Sequence, residues 1–99
     1  MARQPNTDVN GRTFSETTID QVWKTAGVIA GQDPNVIRND ACGWSIKRAE
    51  HGSTNSLYGW EIDHKRPVAK DGGDEPSNLQ PLYWKTNREK SDTYPWSCR

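Results

Sequence analysis

The sequence predicts one α+β domain, in which a helix and an added strand precede a strand, loop, short strand and helix. Three observations predict it: apolar residues at helical spacing around residue 20, period-two alternation at 44–49 and 58–63, and a charged helical run at 84–92. A chain of 99 residues supports one compact domain. Only 31% of its residues are hydrophobic, so the core must be small. Five tryptophans (Trp23, Trp44, Trp60, Trp84, Trp96) are many for this length, and most are expected to anchor that core.

Residues 1–12 are polar, contain the turn signal Asn10-Gly11 and read as a flexible N-terminal arm; residues 13–99 form the domain. Ser15 is placed to cap a helix over Glu16–Thr25, with a glutamate close behind as in a capping box. Phe14, Ile19, Val22, Trp23 and Ala26 follow helical spacing, and Gly27 is a stop. Gly31 to Asp40 mixes Pro34, Asn35 and Asn39 with Val36 and Ile37, and reads as a connecting loop with two apolar anchors. Residues 44–49 and 58–63 are expected to pair as a hairpin across the turn-rich 51–55. Pro67 ends the second strand, 71–76 make a wide loop, and 79–82 form a short extended segment kept to an edge by Pro81. A helix from Trp84 to Asp92 closes the core, which occupies about residues 58–93.

Formal charge is zero, and residues 60–99 carry seven basic and seven acidic residues, so composition does not point to tight nonspecific binding of a polyanion. Cys42 and Cys98 are too few for a disulfide framework or a four-thiolate zinc site. They are expected as free or buried thiols; the alternative, a single disulfide, needs an oxidising compartment. No apolar run spans a bilayer and no signal pattern follows Met1, so a soluble, by default cytoplasmic, protein is expected.

The informative segments are Glu61-Ile62-Asp63-His64-Lys65-Arg66-Pro67, Asp71-Gly72-Gly73-Asp74, Ser77-Asn78-Leu79-Gln80-Pro81-Leu82 and Asn87-Arg88-Glu89-Lys90-Ser91-Asp92. In order and spacing they resemble the HNH (ββα-metal) endonucleases, including the HNH domain of RNA-guided effectors. The resemblance covers residues 58–92, about a third of the chain. It implies a metal-dependent endonuclease acting on DNA (RNA is the alternative), leaving 5′-phosphate and 3′-hydroxyl ends. One such site cuts one strand at a time, so a monomer is expected to nick.

The chemistry of the residues supports the match. Phosphodiester hydrolysis needs a nucleophilic water, a base for its proton, and positive charge against the developing anion. Asp63 offers an anionic oxygen and Asn87 a neutral amide oxygen, hard donors that suit Mg²⁺ or Mn²⁺. Histidine is largely neutral slightly above pH 7, which suits His64 as general base. The resemblance assigns these same roles, and Asn78 is expected to accept the Nδ1–H of His64 so that Nε2 faces the water. Lys90, three residues after Asn87, is expected on a substrate phosphate, with Arg88 and Lys65 as helpers.

Adjacent residues of a regular strand point to opposite faces, so Asp63 and His64 are expected to share one site only if the strand is distorted or ends there, which Pro67 and the following loop favour. The third position of the motif is Asn87, not histidine, which weakens any case for zinc or nickel. The zinc-knuckle cysteine pairs of many HNH proteins are absent. His51 reads as a loop histidine, and Lys47 and Arg48 as a solvated strand face. A tryptophan left exposed becomes a candidate for stacking on bases. The alternative is a module that binds metal or nucleic acid without cutting. The biological settings compatible with the sequence are a phage accessory nuclease with a packaging partner, a restriction-type enzyme, or an antibacterial toxin with an immunity protein.

Overall fold

Ser15 starts the first helix by accepting the Thr18 N–H on its side-chain oxygen at 3.2 Å. In the computed structural model, which describes residues 3–98, this helix (α1) spans Glu16–Trp23, ending short of the expected Thr25. Thr18 stands where a capping box needs glutamate, and its hydroxyl meets that of Ser15 at 3.0 Å instead. α1 buries Ile19, Val22 and Trp23.

The chain then forms β1 (Ile37–Asn39), β2 (Ser45–Lys47), β3 (Trp60–His64), β4 (Leu79–Tyr83) and α2 (Trp84–Lys90). The α+β class and the strand, loop, strand, helix core are as the sequence predicts. The pairing differs. β2 does not form a hairpin with β3; it pairs antiparallel with β1, Ile37 opposite Lys47, and the segment read as a loop supplies that strand. Asp40 explains the local choice. Its Oδ1 accepts the N–H groups of Cys42 and Trp44 at 2.9 and 2.8 Å, reversing the chain at once. Its Oδ2 accepts Tyr83 N–H at 2.8 Å and ties this hairpin to the end of β4.

β3 and β4 form the second antiparallel sheet, from Trp60 opposite Tyr83 to His64 opposite Leu79. Pro81 lies opposite Ile62, whose N–H points away from β4 to Asn6 Oδ1 at 2.8 Å. That pair exchanges no ladder bond, so the donor that proline lacks is not needed there.

Trp60 is fully buried and packs on Trp23 with 5.5 Å between ring centroids. Its indole N–H donates to the Lys47 carbonyl at 2.8 Å, holding β2 over β3. Ile46, Ile62, Leu79 and the buried face of α1 complete this core.

Two glycines are sterically required. A Cβ at Gly72 would lie 1.7 Å from the Arg66 carbonyl oxygen, and one at Gly59 would lie 2.1 Å from that of Ser53.

Residues 3–12, read as a loose arm, contribute Asn6 to the free edge of β3, and Val9 N–H donates to Asp74 at 3.2 Å. Cys42 and Cys98 are not free thiols: they form a disulfide, with 5.4 Å between Cα atoms. The segment after α2 passes Arg66, whose guanidinium carbon is 5.7 Å from the Tyr94 ring centroid, and returns to the β1–β2 turn. A sequence separation of 56 gives no hint of that return. Among the described residues, no helix is long and apolar enough to cross a membrane.

Candidate active site

β3 carries Glu61 and Asp63 on one face, and Ile62 and His64 on the other. The strand is paired without a bulge as far as His64 and ends there, so of the two expected routes to a shared site it is the strand's end, not a distortion, that is present. The two functional side chains diverge: Asp63 contacts Lys90 and Gln80, whereas His64 contacts Asp74. Both nevertheless line one cleft, together with Asn6, Asn87 and Arg88. That cleft runs along the edge of β3 away from β4, past the point where Asn6 takes the Ile62 N–H.

His64 is fixed by a carboxylate that the sequence reading did not single out. Its Nε2 lies 2.7 Å from Asp74 Oδ1. A carboxylate accepts, so Nε2 carries the hydrogen and Nδ1 is the basic nitrogen of the neutral ring. This corrects the expectation that Asn78 accepts Nδ1–H and leaves Nε2 to the water. Asn78 instead clamps the loop after β3. Its Oδ1 accepts Arg66 N–H at 2.8 Å, and its Nδ2 donates to the carbonyls of Arg66 and Gly73 at 3.1 and 2.9 Å. Asn78 thus shapes the loop that delivers Asp74.

Asn87 is buried on α2, and its Nδ2 donates to Glu61 Oε1 at 2.9 Å. With the amide nitrogen committed, the amide oxygen is its free donor atom. Glu61 is itself buried and also receives Arg88, through Nε at 3.1 Å and a terminal nitrogen at 2.9 Å. Arg88, 46% exposed at its side chain, stays available at the cleft rim.

Lys90, expected on a substrate phosphate, is only 1% exposed. Its ammonium lies 3.1 Å from Asp63 Oδ1 and donates to the His64 carbonyl at 3.0 Å. Gln80 donates to the other Asp63 oxygen at 2.8 Å. Burial still pushes the Asp63 carboxyl above the ordinary aspartate range, against the opposing pull of Gln80 and Lys90. Lys65 is exposed and lies outside the cleft lining.

The residue types at the cleft are hard oxygen donors. Asp63 and Asn87 line the same cleft and would offer one anionic and one neutral oxygen, donors of the type Mg²⁺ and Mn²⁺ take, with Lys90 and Gln80 now on the two Asp63 oxygens. Among the described residues there is no cluster of three or more His, Cys, Asp or Glu side chains that could hold a metal ion, so a cation here would rest on Asp63, the Asn87 amide oxygen, water and substrate.

The family model for the HNH endonuclease matches residues 40–93, more than half of the chain. The chain belongs to the HNH endonuclease family. The matched span takes in the Asp40 turn, both strands of the β3–β4 sheet, and α2. No curated protein matches the chain, and no solved structure does.

Sequence reasoning missed Glu61, Asp74 and Gln80 as partners of the HNH residues. Glu61 carried a signal, since alternation places it on the same strand face as Asp63. Asp74 carried only its place in the Gly-Gly loop, which says nothing of where that loop lands.

Proposed function

We propose that this HNH protein is a metal-dependent endonuclease that hydrolyses phosphodiester bonds in DNA, one strand at a time. The observation that carries the reading is the convergence of Asp63, His64 and Asn87 on one cleft, with each side chain oriented by a buried or half-buried partner. Asp63 and Asn87 would hold the cation, Mg²⁺ or Mn²⁺, which supplies positive charge to a phosphate oxygen when bound.

His64 accepts the proton of the attacking water at Nδ1, and Asp74 holds the ring from Nε2 and stabilises the imidazolium that results. Asn78 keeps the loop carrying Asp74 in place. Arg88 at the rim provides a charge-assisted contact for a phosphate. The Cys42–Cys98 bond favours passage through an oxidising compartment, as for a secreted toxin with an immunity partner.

A second reading has one observation in its favour. The Lys90 ammonium already neutralises Asp63, as expected of a module that binds nucleic acid without cutting it. Relaxation of supercoiled plasmid in Mg²⁺ or Mn²⁺ separates the two readings: the nuclease nicks, and the binding module leaves the plasmid supercoiled.

A further inference from the structure

Trp23 and Trp60 are buried, and Trp84 and Trp96 are half-buried, but Trp44 is 58% exposed. Its backbone is not loose. Trp44 N–H donates to Asp40 Oδ1 and its carbonyl accepts Asp40 N–H, both at 2.8 Å, and the disulfide lies two residues away at Cys42. The indole rests against Tyr83, centroids 5.8 Å apart, and Tyr83 meets Trp84 edge-on at 6.1 Å.

Cations accompany these rings. The Lys85 ammonium is 5.6 Å from the Trp84 centroid, and Lys47 is 4.3 Å from that of Tyr58, another exposed aromatic at the Trp60 end of β3. Exposed π-surface beside ammonium groups complements a polyanion with flat, stackable bases.

The patch is also placed relative to the cleft. Tyr83 pairs with Trp60, at the end of β3 far from His64, and its N–H, bound by Asp40, points out from the edge of β4, so the patch sits at one end of the sheet and across it from the cleft. α2 joins the two regions. Lys85 in its first turn and Arg88 at the cleft rim are three residues apart on one exposed side of the helix.

We propose that Trp44, backed by Tyr83, with Lys85 beyond it over Trp84, is a stacking platform for an unpaired base of the nucleic acid held in the cleft. The preferred substrate is therefore a strand with unpaired bases near the cut rather than a continuous duplex. This deepens the nuclease reading and rests on it for the strand in the cleft.

The test is anisotropy of a labelled duplex, and of the same duplex with a central unpaired stretch, both in EDTA so that binding is read without cutting. Wild type is expected to bind the interrupted duplex more tightly. Trp44→Ala is expected to weaken that binding by between about fivefold and about a hundredfold, the range for losing one stacked base, and to leave the continuous duplex unaffected. Trp44→Phe is expected to retain most of the preference. Equal binding of both substrates by wild type, no binding of either, or an equal loss on both in Trp44→Ala would overturn the platform. A chain that nicks plasmid but shows no Trp44 effect loses only this proposal. One with the Trp44 effect that never cuts loses only the nuclease reading.

Discussion

Asn87 has an amide whose two ends differ in use, and Glu61 decides which end is free. Replacing Glu61 by alanine leaves both the Asn87 amide and Arg88 without their partner. Loss of hydrogen bonds to a buried charged group is expected to cost about 2 kcal/mol, read as a lower urea midpoint. Mn²⁺ affinity, measured by calorimetry, is expected to fall as well, because the amide is free to turn; unchanged affinity would remove Glu61 from the role of positioning Asn87. Asp63 and His64 separate in the same experiment. Asp63→Ala is expected to lose metal binding and turnover together, whereas His64→Ala keeps the metal and loses turnover. Asp63 also sets a pH dependence. Burial raises its pKa, so the stability associated with its protonated form is present at acid pH and lost as pH rises through that raised value. Metal binding needs the carboxylate and follows the opposite course, weakening on acidification before an ordinary aspartate, near 3.8, would protonate.

The elements were legible where their signal is periodic and local. Alternation at 58–63 and the charged run after Trp84 mark β3 and α2, and the Asp63-His64 pair marks the end of the strand. β1 was not legible, because three residues among Pro34, Asn35 and Asn39 carry too little pattern, and its pairing with β2 depends on Asp40 folding back on the chain. Lys90 shows a different limit: helical spacing relates it to Asn87 but does not say that this side of α2 is buried. The His51 contact makes an element-level prediction. His51 Nε2 lies 3.1 Å from Asn6 Oδ1, and burial, reinforced by Arg48, lowers its pKa below 6.5. Its contribution to stability is therefore full above about pH 6.5 and lost as pH falls through the folded value. Urea midpoints are expected to drop between pH 7.5 and 5.5 in wild type, and to drop less in His51→Gln.

At the scale of the whole molecule, the disulfide brackets nearly all of the family span: Cys42 precedes β2 and Cys98 follows α2. Closing a loop with a sequence separation of 56 constrains the unfolded chain by up to about 4 kcal/mol in the chain-entropy account. Cys98→Ser, or reduction of wild type, is expected to lower the melting temperature by several degrees; an equal melting temperature with and without reductant would argue against the bond in solution. Neither this bond nor the packing of residues 3–12 on β3 was legible, since each depends on segments distant in sequence meeting only in the folded chain.

All three scales meet in one chemical claim, that Asp63, His64 and Asn87 form a cation-dependent hydrolytic site. Supercoiled plasmid incubated with wild type and with His64→Ala, in Mn²⁺ or Mg²⁺ and in EDTA, tests it most directly. The expected result is nicked circles from wild type with metal, none in EDTA, and none from His64→Ala. Plasmid left supercoiled by the folded wild type in both metals, or nicked equally by His64→Ala, would contradict it.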